Sequence, residues 1–264
     1  MRRHIVLALA LSALLAFGAG AIANAASTKI RAGNLVLTFG GVASPSKLPK
    51  AKFAPVKAII FGKVATSDGT HPSALRETVV DIDKDVKLTV KGLPVCKAGQ
   101  LTARNTAAAK RVCGKTVLGT GIAHAEIAFP EQSPIKVTSP ITVFNGGGSG
   151  SRSKLLIHTF ITVPVPAAIV TQVAITNRGT GIHAIAKVPV IAGGSGSVLD
   201  FRFKLGRTYS YRGKRLSYSM ARCPDGVFKT KTTKTLFKNE AKIPGVASRT
   251  VLKGGLAVPC TPKG

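Results

Sequence analysis

The chain has no tryptophan, and only three tyrosines and two methionines in 264 residues. Aromatic residues make up 5% of it and apolar residues 45%, so the core must be built from Val, Ile, Leu and Ala. The stacking surfaces that read single-stranded nucleic acid are missing, and no specific nucleic-acid recognition is expected. Acidic residues are scarce: 10 Asp and Glu stand against 38 Lys and Arg, a formal net charge of +28. Long helical periodicity is absent, which argues against helical bundles and β-α-β units. So are H-E-x-x-H, G-x-S-x-G, a Gly-Lys-Ser/Thr phosphate loop and a complete dinucleotide glycine fingerprint. Gly146 to Gly150 and Gly193 to Gly196 are glycine-rich and carry none of these patterns. Catalysis by residues gathered from distant positions stays open, yet no catalytic residue, metal site or cofactor is legible.

What is present begins with a leader. Arg2-Arg3-His4 precedes an apolar run from Ile5 that ends in Ala23-Asn24-Ala25. Charged, apolar and A-x-A segments in that order predict a signal peptide over residues 1–25, cut after Ala25 with Ala23 as the alternative; the competing reading is an uncleaved membrane anchor over Ile5 to Ala23. No cysteine follows to make a lipoprotein, and no later stretch reads as a transmembrane helix. An exported chain meets an oxidising compartment, so Cys96, Cys113, Cys223 and Cys260 are expected to form two disulfides. Of three connectivities, proximity along the chain favours Cys96 with Cys113 and Cys223 with Cys260. No cysteine pair has zinc-ligand spacing.

The segment from Glu77 to Phe129 organises the fold. Val80, Ile82, Val86, Leu88 and Val90 alternate with Asp81, Asp83, Asp85, Lys87 and Thr89, the period-two pattern of a half-buried strand. Gly92 and Pro94 end it. Thr106 to Arg111 favours a short helix, capped by Asn105 or Thr102 and stopped by Gly114. Val56–Ala65, Ile135–Phe144 (broken at Ser139-Pro140), Lys154–Val163, Ala168–Thr176, Ile182–Ile191 and Val198–Leu205 read as further strands between turn-rich stretches. The expected fold is all-β, a large antiparallel β-sandwich with one short helical segment between Cys96 and Cys113. Residues 26–55 read as an N-terminal strand and a basic linker, and 56–264 as a single sandwich domain.

Charge is uneven. Ser27 to Thr120 carries a net +11, Gly121 to Asp200 +2 and Phe201 to Gly264 +13. Such a field attracts polyanions without specifying which, or serves solubility alone. The densest candidate contact is Gly206 to Cys223, which holds all three tyrosines. Arg207, Tyr209, Tyr211, Arg212, Lys214, Arg215 and Tyr218 combine stacking with anion pairing around a hairpin tip at Arg212-Gly213-Lys214. The competing reading is an ordinary hairpin with tyrosines half buried against the core. Lys229 to Lys234, KTKTTK, reads as a solvated edge strand.

Three other groups offer chemistry. Asp81, Asp83 and Asp85 lack the glycine and glutamate of a calcium loop, with Val86 and Gly92 in those places. They read as the wet face of a strand. His124, His158 and His183 sit in expected strands, where adjacent strands offer a metal or hydrolase site only if the side chains converge. GTGIAHAEIAFP from Gly119 and GTGIHAIAKVPV from Gly179 echo one another. Their histidines are offset by one position, which places them on opposite faces of comparable strands.

At GLPVC (Gly92 to Cys96) and in the run from Cys113 to Gly121, the chain resembles a group of uncharacterised exported actinobacterial proteins. These share G-L-P-x-C and a second cysteine before a V/L-G-x-G strand. SDGTHPSALRETVVDID (Ser67 to Asp83) is similar to that group's strand-loop-strand entry. The resemblance covers Val56 to Phe144, departs at Gly114 where the group often has proline, and implies secretion and a β-rich fold with no known activity.

Together these features point to a secreted or envelope-associated, non-catalytic β protein that binds anionic wall polymer, lipid head groups or acidic polysaccharide by charge. The rivals are a secreted hydrolase or metal-dependent enzyme using strand histidines, and a structural partner of another envelope protein.

Overall fold

The structure, a computed structural model, describes residues 25–129, 132–240, 242 and 244–264. The expected leader, up to Asn24, lies outside them. The strands are, in chain order, β1 (Ala26–Ala32), β2 (Leu35–Ser44), β3 (Lys47–Pro49), β4 (Ala54–Pro55), β5 (Lys57–Thr66), β6 (Ala74–Asp83) and β7 (Val86–Leu88). There follow β8 (Val117–Ile127), β9 (Ile135–Ser149), β10 (Arg152–Ile161), β11 (Ala167–Arg178), β12 (Gly181–Lys187) and β13 (Gly196–Leu205). The chain ends with β14 (Thr208–Tyr211), β15 (Lys214–Ser217), β16 (Ser219–Ala221), β17 (Val227–Lys238), β18 (Arg249–Pro259) and β19 (Thr261–Lys263). Among the described residues one α-helix, α1 (Thr106–Cys113), joins them. The fold is all-β with the short helix where the sequence places it.

Twelve strands form one antiparallel sheet in the order β1-β2-β5-β13-β8-β9-β10-β11-β12-β6-β17-β18. The sheet curls until β18 lies along β1, so opposite walls pack on each other as two layers would, without a separate stacked sheet. Alternation decides what lies inside. One row across the ladder reads Ile60, Phe203, Gly121, Ile141. Phe201 and Phe203 stack at 6.0 Å between centroids. Gly121 is required beside them: a Cβ there would collide with the Arg202 carbonyl and the Phe203 side chain. Val143, Leu155, Val173, Ile175 and Ile182 continue the same core, in keeping with an interior built from aliphatic side chains.

Basic residues take many of the outward positions on part of the sheet. Lys29, Lys63, Arg202 and Lys231 project from the middle of their strands and are exposed.

A three-stranded sheet, β4-β16-β7, and the segment through Leu93 close one mouth of the roll. Here the structure departs from the sequence pattern. The alternation from Glu77 to Val90 is one run, but the chain turns at Lys84-Asp85, where the Asp83 carboxylate accepts the Asp85 N–H at 3.1 Å. Val86 and Leu88 therefore face the core from the mouth instead of from the wall. β9 runs unbroken through Ser139-Pro140 and into the glycine run as far as Ser149. Residues 26–55 are more ordered than a strand and linker: β1 and β2 pair fully, and β3 and β4 occupy much of the expected linker.

Both disulfides pair as the spacing suggests. Cys96–Cys113 closes a 17-residue separation and Cys223–Cys260 a 37-residue one. The first staples a flap, residues 96–116, which packs on the outside of β9 and β10. Asn105 caps α1 by accepting the Ala108 N–H at 2.9 Å. Leu101 and Ala109 of the flap bury Phe144 and Leu156, which face outward and would otherwise meet water.

Candidate polyanion-binding surface

Because β18 returns to β1, the two basic ends of the chain share one wall: β17, β18, β1, β2, β5, β13. Its outward cations are Lys229 and Lys231 on β17, Arg249 and Lys253 on β18, and Lys29 and Arg31 on β1. Lys57 and Lys63 on β5 and Arg202 and Lys204 on β13 extend it. All ten are exposed. Lys29, Thr38 and Lys63 lie opposite one another on consecutive strands, about 10 Å from end to end at ordinary strand spacing. Lys229 and Lys231 face Ala257 and Gly255 on β18, while Lys231 lies opposite Asp81 on β6 and Lys63 opposite Asp200 on β13. The facing wall, β8 to β12, is nearly neutral because its sequence is.

Acidic side chains do little to offset this wall. Asp85 is buried and takes Arg222 Nε at 2.6 Å. Glu77 holds Lys234, and Glu240 holds Arg76. Asp83 accepts backbone N–H groups of Asp85 and Lys229. Asp68 accepts from Thr70 and Asn34, and these hydrogen bonds, the Thr70 hydroxyl foremost, hold its carboxyl far below the usual range. Three carboxylates take histidines at 2.6 Å: Glu126 with His71, Asp200 with His124, and Asp81 with His183. Among the ion pairs of the described residues, only Arg76, Arg222 and Lys234 are Lys or Arg partners. None of the ten wall cations is among them.

The Tyr/Arg segment divides into three parts. β14 and β15 form a hairpin whose tip, Arg212-Gly213, has positive φ at both residues, 50° and 71°, as a two-residue hairpin turn needs. Arg212, Lys214 and Arg215 are exposed at that tip, with Arg212 5.3 Å over the Tyr211 ring. Arg207 and Tyr209 fasten the hairpin to the corner. Arg207 Nη1 donates to the Lys115 and Val117 carbonyls, and Tyr209 donates to the Lys91 carbonyl at 2.7 Å. Burial pushes the Tyr209 hydroxyl up from its ordinary pKa, with Arg207 opposing. Tyr218 is no part of this surface: it is fully buried in the main core, and burial raises its pKa strongly.

The histidines do not converge. His124, His158 and His183 lie on β8, β10 and β12, two strands apart each time, and all face outward. His158 stands opposite Val170 and His183 opposite Thr176 on the same β11, about 20 Å apart along the strand. His124 and His183 face the same side because Gly119 already lies within β8 while Gly179 precedes β12, which shifts the phase by one. No cluster of three metal-ligating side chains occurs among the described residues. His158 is buried under the flap; its Nε2 donates to the Arg104 carbonyl at 2.9 Å, and burial lowers its pKa. KTKTTK is not an edge: β17 pairs with β6 on one side and β18 on the other.

The ten-cation wall was not visible as a unit in the sequence. Its signals were the two basic ends and the lysines alternating with apolar residues in each strand; their adjacency depends on how the sheet closes. No family model matches the chain, and neither a curated protein nor a solved structure is similar to it.

Proposed function

We propose that the protein is exported and binds an anionic polymer or surface of the envelope or its surroundings through the basic wall and the Arg212–Arg215 tip, without catalysis. Anionic wall polymer, anionic lipid head groups and acidic polysaccharide share the required chemistry. The observation that supports this best is the gathering of cations from both chain ends on one rigid face, none of them in an ion pair among the described residues. Two disulfides fit an oxidising compartment. A rigid sheet holds its charges at fixed spacing, so little side-chain ordering beyond the lysine tips is needed on binding.

The test uses the secreted chain with a sulfated polysaccharide and with phosphatidylglycerol vesicles at low ionic strength. Binding through about six cations should fall by roughly a thousandfold between about 50 and 200 mM salt. Lys29, Lys63, Lys204 and Lys231 changed together to Gln should weaken it, while Lys136→Gln with Lys154→Gln on the opposite wall should not. Equal effects from the two walls, or no binding to either probe at low salt, would refute the proposal.

A further inference from the structure

We infer that the mouth of the roll beside the β9–β10 turn is a binding site for a small amphiphilic anion, a carboxylate with an aliphatic body. This site is separate from the basic wall and does not rest on the polyanion reading. The inner face of the sheet changes character at this rim on three adjacent strands. On β9, Ile141 and Val143 give way to Asn145; on β10, Ile157 and Leu155 give way to Ser153; on β11, Val173 and Ile175 give way to Asn177. The ladder sets Asn145 opposite Leu155 and Ser153 opposite Ile175, so the three polar residues step diagonally along the rim, each two residues on from the next.

Across from them runs the segment Leu88 to Val95. It is pinned at several points: the Thr89 N–H donates to the Tyr218 carbonyl, Tyr209 donates to the Lys91 carbonyl, and the Cys96 N–H donates to the Asn145 carbonyl. A cavity of about 540 Å³ lies between the two sides, within the range of small-molecule sites. Val90, Leu93 and Val95 line it with aliphatic surface, and Lys91, Arg152 and Asn177 supply polar groups, Lys91 from the same segment as the two valines. No lining residue is acidic. Lys91 and Arg152 are in no ion pair, and the Ser153 hydroxyl and Asn177 carboxamide have no hydrogen-bond partner among the described residues. Asn145 differs: it is fully buried and spends its carboxamide on the Pro94 carbonyl and the Gly147 N–H. It fixes the floor.

Two unpaired cations and a free carboxamide that line one cavity together with three aliphatic side chains match an anionic head on an apolar body. A neutral body of the same size forgoes the charge-assisted hydrogen bonds, which are the stronger contribution.

Titration calorimetry at low salt with octanoate and with 1-octanol decides it. One octanoate should bind saturably, and octanol at least about tenfold more weakly. Arg152→Gln with Lys91→Gln, both exposed and checked by thermal melting, should weaken octanoate by a similar factor. The four-lysine wall variant should bind octanoate like the parent chain. No saturable octanoate binding, unchanged affinity in the Arg152/Lys91 variant, or loss in the wall variant alone would each overturn the inference.

Discussion

Removing the Cys96–Cys113 clip tests how the flap is held. The perturbation is Cys96→Ala with Cys113→Ala, which leaves Cys223–Cys260 in place. A loop of 17 residues loses conformational freedom worth about 3 kcal/mol when it is closed. The flap also has its own packing: Leu101, Ala109, Phe144 and Leu156 are buried together, and a buried Leu or Phe contributes about 1.5–3 kcal/mol. The clip is therefore not the whole of the attachment, and the variant should fold with the flap docked. Because the closed loop lies wholly within the flap, local opening should become easier by the same 3 kcal/mol, roughly a hundredfold in the open population. Hydrogen exchange reads this at the Ala109 N–H, which donates to Asn105, while urea unfolding reads the global loss. A second readout is the His158 imidazole, whose titration should move up toward 6.5, its ordinary value, to the extent that the flap opens. If protection over residues 98–113 is the same with and without the clip, the flap is held by packing alone and the argument fails.

Two further outcomes follow from buried groups. Burial lowers the His158 pKa from 6.5, so below that value the unfolded chain binds a proton that the folded chain does not. Stability from this residue is whole above about pH 6.5 and is lost as pH falls toward the folded value; His158→Gln, which can still donate to the Arg104 carbonyl, should flatten that part of the urea-midpoint profile. Arg222→Met should destabilise by about 3–5 kcal/mol in the same assay, because it strands the Asp85 carboxylate in the core. Arg222→Met with Asp85→Leu should recover most of the loss; if the double variant is no better than the single one, the stranded charge is not the cause.

Local physics was legible and long-range assembly was not. The Asn105 cap, the helix over Thr106 to Arg111 and both disulfides follow from short-range chemistry and sequence proximity. The inward set Phe201, Phe203 and Leu205 follows from period two. The turn at Lys84-Asp85 was hidden because alternation passes through it: a strand and a reversed continuation share the same parity when the turn spans an even number of residues. Tyr218 was misplaced for a related reason. It is one residue past β15, and whether it faces solvent or core depends on the mouth-closing sheet β4-β16-β7, whose three pieces lie far apart in sequence. The amphiphile-sized mouth had no sequence signal beyond a step from Ile and Val to Asn and Ser at three strand ends.

Edge protection alone does not account for the basic wall. β1 and β18 end the hydrogen-bonded order of the sheet, and lysines there, Lys29 and Lys253, discourage pairing with another chain. That reason stops at the edges. β5, β13 and β17 each have hydrogen-bonded neighbours on both sides, and they still carry Lys57, Lys63, Arg202, Lys204, Lys229 and Lys231 outward. Solubility needs only charge spread over any exposed face, whereas here β8 to β12 stay nearly neutral. Ten exposed like charges on one wall raise the folded state's electrostatic self-energy, and a partner of opposite sign relieves it. The proposed binding face is an arrangement in which that repulsion would have a use.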